Sequence, residues 1–224
     1  MSFRRRYYDV FSHAYDAFVR LHGRGTGAAK RVFLAEKTCG QVGERIIDLC
    51  TGTGEAALCL ARSPGVFVIG IDFSAGMLTQ ARNKSKTIPN VAWVQADVST
   101  LPCAPNSVDR ATCAYAMYEL PGDIRAQLFK EILRVLKPGG VFLMMEHLPP
   151  QSPILKLLYF VRIHVLGTKG VRSFAGTEER ELQGFFNGVG YDLAPGGKTK
   201  VTYGFKPSTV HGSNNAPHTR ASES

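Results

Sequence analysis

The chain is poor in the residues that staple small folds or build metal sites. It has five cysteines in 224 residues (Cys39, Cys50, Cys59, Cys103 and Cys113), and no two of them form a C-x-x-C pair. That scatter argues against a disulfide framework and a cysteine zinc site. It fits thiols kept reduced in a cytoplasm. Long apolar runs are lacking too: none approaches the ~18 residues of a bilayer-spanning helix. The opening MSFRRRYYDVF is basic, but Asp9, His13 and Asp16 interrupt any apolar stretch behind it, so no secretory signal is expected. No internal repeat is visible, and no metal site is expected.

Net charge is missing from the middle of the chain, although the whole carries a formal +9. Residues 32–150 hold eleven basic and eleven acidic side chains, whereas residues 1–31 hold seven against two and residues 151–206 eight against four. The excess therefore sits on two flanks. Such flanks attract phosphate-bearing surfaces, an anionic membrane or a nucleic acid. The plainer reading is a solvated surface.

What is present is a repeating alternation. Residues 5–20 and 26–38 have the spaced apolar positions of helices. RIIDL (45–49), VFVIGID (66–72), VAWVQAD (91–97), SVDRATCAYAM (107–117) and VFLMMEH (141–147) are apolar enough for buried strands. Between them, GEAALCLARS, SAGMLTQARNKS with Ser74 as N-cap, and 121–136 suit helices. In the last of these Leu128, Ile132 and Leu136 share one face, and KPGG (137–140) is a stop. Strands alternating with helices predict an α/β fold, a parallel sheet wound on both faces. Its ligands bind at the carboxyl ends of the strands. Residues 153–166 and 177–187 then suit helices, and YDLAP with KTKVTYGFKP a closing strand pair. The polar stretch 208–224 is expected to be disordered.

The first strand ends in DLCTGTG (48–54). Gly52 and Gly54 can take positive φ and let a ligand approach the backbone, and the next helix points its free N–H groups at an anion. Asp72 and Asp97 end the second and third strands. A carboxylate at the first of these places accepts from a ribose diol, and one at the second from an exocyclic amine. Each aspartate alone reads first as a helix cap or turn residue; their shared register favours an adenosine-containing ligand. Gly52-x-Gly54-x-x-Ala57 also meets the dinucleotide pattern, so an NAD-dependent oxidoreductase is a rival. That pattern calls for neither Asp48, nor Asp97, nor LKPGG before a fifth strand.

Those features resemble the class I S-adenosylmethionine-dependent methyltransferases. DLCTGTG resembles their first motif, GIDFSAGML (70–78) the segment after it, ADVSTLP (96–102) the adenine segment and RVLKPGGVFLMMEH (134–147) the fifth-strand segment. YYDVFSHAYD (7–16) is similar to the start of the ubiquinone/menaquinone C-methyltransferases, although AYAMYELPGD (114–123) departs from that branch. The resemblance implies a doubly wound, mostly parallel seven-stranded Rossmann-like sheet, with N-terminal helices and a helical insertion before the last strands. It implies one domain over 1–207: a helical lid (1–43), a cofactor core (44–147) and acceptor-side elements (148–207).

The same resemblance implies S-adenosylmethionine as cofactor and a role for each matching residue. Thr51, Gly52, Thr53 and Gly54 hold the methionine portion, with Asp48 steadying its amino group. Asp72 takes the ribose, Phe73 and Met77 flank the adenine, and Asp97 with the Val98 N–H reads its edge. Tyr115 and Ala116 lie under the methionine end, and Tyr15 closes over it. Packing is the alternative for Phe73, Met77 and Tyr15.

Because the sulfonium methyl is already activated, a base is needed only where the acceptor has a proton to lose. Glu119 and His147 are the candidate catalytic residues, with His13 and Tyr118 behind them. SPILKLLYFVRIHVLG (152–167) is apolar yet carries Lys156, Arg162 and His164. It is fit to lie at a membrane interface or roof a greasy pocket. The acceptor is thus expected to be small, and lipid-like if that helix does more than cap the sheet: a quinone precursor or a phospholipid head group. The protein is then cytoplasmic, with peripheral contact to an anionic membrane. No proline-aromatic tetrapeptide follows strand four, since YELP (118–121) is not one. A nucleic-acid partner is therefore not expected, and a nucleic-acid methyltransferase is the remaining alternative.

Overall fold

In a computed structural model, residues 8, 9, 12, 27–148 and 176–208 are described. Seven strands form one sheet: β1 (Arg45–Leu49), β2 (Phe67–Asp72), β3 (Val91–Gln95), β4 (Val108–Ala114), β5 (Leu136–His147), β6 (Asn187–Leu193) and β7 (Thr199–Phe205). The order is β3-β2-β1-β4-β5-β7-β6. The first five pair in parallel, and β7 enters antiparallel between β5 and β6. Helices α1 (Gly27–Thr38), α2 (Glu55–Leu60), α3 (Ala75–Lys84), α4 (Gly122–Val135) and α5 (Glu178–Gln183) connect them, with a 3-10 turn at Met117–Glu119. The α/β reading and the seven-stranded, mostly parallel sheet both hold. Of the predicted helix at 5–20 only residues 8, 9 and 12 are described, and they are helical; the predicted helix at 153–166 and the predicted disorder beyond 208 lie outside the described residues.

Side chains alternate along each strand, so the core has two sides. Ile47, Leu49, Cys113, Phe142 and Met144 pack with Leu128, Phe129, Ile132 and Val135 of α4. On the other face, Val141, Leu143, Met145 and Val201 meet Leu34 of α1 and Ala56 of α2, while Ile46 and Val68 meet Ala57 and Leu60. The buried residues of α4 recur at helical spacing, as expected of a helix with one face on a sheet.

Several boundaries differ from expectation, among them β6, which starts at Asn187 rather than Tyr191. The α4 helix stops at Val135, and LKPGG belongs to β5 rather than to a plain helix stop. The pairing advances from Val108↔Leu136 to Arg110↔Val141, so the extra residues of β5 bulge. Gly139 takes φ +76° there, and a Cβ on Gly140 would sit 2.8 Å from the Asp109 carbonyl oxygen. The helix predicted over 177–187 is cut to Glu178–Gln183, because Phe186 turns inward against Phe129 and Phe142.

Candidate functional site at the carboxyl ends of the strands

The turn after β1 is built on left-handed backbone. Cys50, Gly52 and Gly54 have φ of 52°, 56° and 81°. The Thr51 N–H donates to the Ile71 carbonyl at 3.0 Å and the Gly54 N–H to the Thr51 carbonyl at 3.0 Å. The two glycines serve different ends. A Cβ on Gly54 would meet Trp93 at 2.4 Å, so Gly54 lets the start of α2 pack against β3. A Cβ on Gly52 would meet nothing within 4 Å. Gly52 is therefore the glycine that leaves room for a ligand.

Asp48 supports this turn from below and is 1% exposed. It accepts from Thr51 Oγ1 at 2.5 Å and Thr112 Oγ1 at 2.7 Å, and from the Ala57 N–H in the first turn of α2. Burial pushes its carboxyl up to about 6 against the pull of these donors. Thr51 and Thr53 are buried with it.

Asp72 lies beside the turn. Its Oδ2 accepts from the Gly52 N–H at 2.8 Å, and its Oδ1 from the Ser74 N–H at 2.9 Å. Burial holds it above the usual carboxylate range, opposed by these amides and assisted by the nearby charge of Asp9. Ser74 caps α3 as the sequence predicts, accepting from the Met77 N–H at 3.2 Å. Met77 is buried at 3% exposure, whereas Phe73 is half-buried at the mouth. Asp97, also half-buried, accepts from the backbone and side chain of Ser99 at 2.9 and 2.7 Å, and Val98 behind it is 8% exposed. These turn contacts are the role that a lone aspartate would have. Asp97 nonetheless follows β3 on the side of the Asp72 tip, where Gln95 Nε2 donates to the Phe73 carbonyl at 3.0 Å.

On the other side of β1, Tyr115 leaves β4 with φ 57°. Its ring stacks on His147 with centroids 4.2 Å apart. Its hydroxyl is 3.5 Å from Thr199 Oγ1. Ala116 is half-buried and precedes the 3-10 turn that carries Tyr118 and Glu119. The two candidate catalytic residues lie in different surroundings. Glu119 accepts from the Tyr8 hydroxyl, while His147 is exposed against Tyr115. Tyr15 and His13 lie outside the described residues.

Sequence reasoning missed three residues here. Asp9 Oδ1 accepts from Ser74 Oγ at 2.6 Å and the Gly76 N–H at 3.0 Å, and Gly76 has no room for a Cβ because Asp9 backbone lies 2.7 Å away. Tyr8 meets Phe73 edge-on at 5.8 Å. With its bond to Glu119, it joins the β2 and β4 exits. Glu146 is buried at the end of β5. It follows Phe142 and Met144 on the face toward α4, within a run buried on both faces, and an acidic residue in such an apolar run was the available signal.

Among the described residues no cluster could hold a metal ion, and no helix is long and apolar enough to cross a membrane. The dinucleotide reading is not favoured, because the usual dinucleotide sheet is all parallel in order 3-2-1-4-5-6 and lacks the antiparallel insertion seen here.

A methyltransferase domain family matches residues 46–140. Demethylmenaquinone methyltransferase of Chlorobaculum parvum is 35% identical over 161 residues, covering 70% of this chain and 65% of its own. That of Staphylococcus haemolyticus is 35% identical over 121 residues, covering 53% and 50%. The chain thus spans from half to just under two thirds of these curated relatives. Among solved structures, a SAM dependent methyltransferase from Aquifex aeolicus superposes with a TM-score of 0.57, at 17% identity, over 84% of this chain and 93% of that one. With the glycine turn and sheet order in place, residues 46–140 carry a methyltransferase domain, and the curated relatives matched over this stretch carry the name demethylmenaquinone methyltransferase.

Proposed function

We propose that the chain is an S-adenosylmethionine-dependent methyltransferase acting on a small, lipid-like acceptor of the prenylated quinone-precursor type. One observation carries the cofactor assignment: Asp72, at the tip of β2, closes on the open glycine Gly52 at the tip of β1. On this reading Asp72 takes the ribose diol, exchanging its bond to the Gly52 amide as the ligand enters. Thr51, Gly52, Thr53 and Gly54 line the methionine end. Phe73 and Met77 flank the adenine, with Asp97 and the Val98 N–H at its edge. Tyr115 and Ala116 lie under the sulfur end, and Tyr15 covers it. Asp48 acts from beneath, as the residue that fixes the turn.

The cofactor, when bound, supplies an electrophilic sulfonium methyl. The protein's share is to orient the acceptor in line with it and exclude water, and such orientation supplies about 7–11 kcal/mol. Carbon methylation releases a ring proton, and Glu119 is the carboxylate assigned to take it. The acceptor class is supported by the names of the relatives. It is supported too by the apolar, basic stretch at 152–167, which lies outside the described residues. Peripheral contact with an anionic membrane belongs to the same proposal.

Calorimetry with S-adenosylhomocysteine and with NAD tests the class, and binding of the first alone is the expected result. Methyl transfer to a reduced demethylated naphthoquinone bearing a short prenyl chain then tests the acceptor. NAD binding without S-adenosylhomocysteine binding overturns the first proposal; absence of transfer overturns the second. Co-sedimentation with anionic vesicles at low and high salt tests the membrane contact, which fails if no binding occurs even at low salt.

A further inference from the structure

Glu146 is the penultimate residue of β5, 4% exposed, on the face that packs against α4. Its Oε1 accepts from the Met117 N–H at 2.9 Å, and the neighbouring Tyr118 N–H also favours the charged carboxylate. Its Oε2 is buried with no hydrogen-bond partner among the described residues. Both amides belong to the 3-10 turn Met117–Glu119. The far end of that turn is fastened as well: the Leu120 carbonyl accepts from Arg125 Nη1 at 2.6 Å. Arg125, 2% exposed, is gripped in turn by both oxygens of Glu181 on α5 at 2.9 and 2.8 Å. Three residues of backbone are thus clamped from both ends by buried ionisable side chains, and the residue they present is Glu119.

Space filling does not explain a carboxyl at this place. Met144, Met117 and their neighbours would accept an apolar side chain of equal volume, and a buried oxygen without a partner is a cost. The Met117 amide does explain it, since an apolar residue would leave that N–H without the acceptor it has here. Burial first, and then the charges of Glu178 and Glu119, raise the Glu146 carboxyl well above its usual range. Its cross-strand partner Lys200 gives its ammonium to Glu178 and Glu179.

We propose that Glu146 is a positioning residue for methyl transfer: through the Met117 and Tyr118 amides it fixes the turn that aims Glu119 at the acceptor. This rests on the methyltransferase reading above. Glu146→Leu removes the acceptor of the Met117 amide at similar volume, while Glu146→Gln keeps an acceptor in the same place without charge.

The test combines native-state amide exchange, S-adenosylhomocysteine calorimetry and transfer to the short-chain demethylated naphthoquinol. For Glu146→Leu, exchange at Met117 and Tyr118 is expected to quicken by about tenfold or more with β1 amides unchanged. With it, kcat drops by about tenfold or more while the S-adenosylhomocysteine affinity stays within about threefold. Glu146→Gln restores both within about threefold. Wild-type kcat in the leucine variant, or an equal loss of affinity and kcat, overturns the proposal. If the leucine variant does not fold, Glu146→Gln decides: a loss of about tenfold or more in kcat with the amides still protected points to proton chemistry and overturns positioning. If the wild type transfers nothing to the naphthoquinol, the acceptor reading fails by itself. Amide exchange in the two variants then still judges the clamp.

Discussion

The Gly52 N–H donates to Asp72 Oδ2 at 2.8 Å, joining the tips of β1 and β2 through residues twenty positions apart. Neither partner has anything to do with the other in local sequence. Parallel pairing of Asp48 with Gly70 and Leu49 with Ile71 brings them together. The amide that Asp72 now satisfies is also the one a ligand's carboxylate would seek. Asp72→Ala is therefore expected to weaken S-adenosylhomocysteine binding by about 1–3 kcal/mol through lost charge-assisted bonds. Calorimetry measures it, and unchanged affinity would remove the ribose assignment.

The two glycines of the turn separate stability from binding. Gly54→Ala forces a methyl to within 2.4 Å of Trp93 at φ +81°. It is expected to lower Tm by several degrees, as overpacking and left-handed strain each cost about 1–3 kcal/mol. Gly52→Ala meets only strain, because the space above it is open. It should cost about 1–2 kcal/mol of stability but impair S-adenosylhomocysteine binding more than Gly54→Ala does at a temperature where both variants are folded. Thermal melts and calorimetry on the pair read both quantities.

Asp48 gives a pH dependence with a definite sign. Its folded pKa is raised to about 6, above the unfolded value of about 3.9. Its contribution to stability is therefore fully present below pH ~4 and is lost as pH rises through about 6. The loss amounts to about 3 kcal/mol by linkage. Asp48→Asn keeps the shape and the two threonine contacts without the charge. It should be more stable than wild type at pH 8 and lose that advantage below pH ~4. If Asp48 also steadies the cofactor's amino group, the same variant binds S-adenosylhomocysteine less well. Denaturant melts across pH, paired with calorimetry, separate the two effects.

The Arg125–Glu181 pair is asymmetric. Arg125 is 2% exposed and Glu181 28% by side chain. Glu181→Ala leaves a buried guanidinium without its carboxylate, although the Leu120 carbonyl still accepts from it. It is expected to cost about 3 kcal/mol, near the low end for a broken buried pair. Arg125→Met removes the charge along with the pair and should cost less. Urea melts of both variants check the order, and a larger loss for Arg125→Met would contradict it.

Much of the fold was legible because apolar strands and Gly/Asp tips are local signals. RIIDL, VFVIGID and VFLMMEH are continuous apolar runs, and each is buried along most of its length, as strands covered on both faces are. Ser74 caps its helix as its position predicts. The LKPGG bulge was not legible. A lysine–proline–glycine run usually stops a helix and starts a loop, and only pairing with β4 shows that it stays in the strand. Asp97 was legible as a turn residue and as a ligand residue alike, and its bonds to Ser99 satisfy the first without excluding the second.

The sequence by itself determined the succession of strands and helices, the glycine turn and the carboxylates at the strand tips, because those depend on residue type and spacing of a few positions. Tertiary structure alone decided how the shared features divide. Gly54 is for packing and Gly52 for approach because Trp93 lies over one and open space over the other. Glu119 is reached by Tyr8 from 111 residues away, and Glu146 is buried under a turn 29 residues earlier in the chain. Contacts between distant segments set burial, and burial sets which carboxyl carries charge; neither is written in any short stretch of the chain.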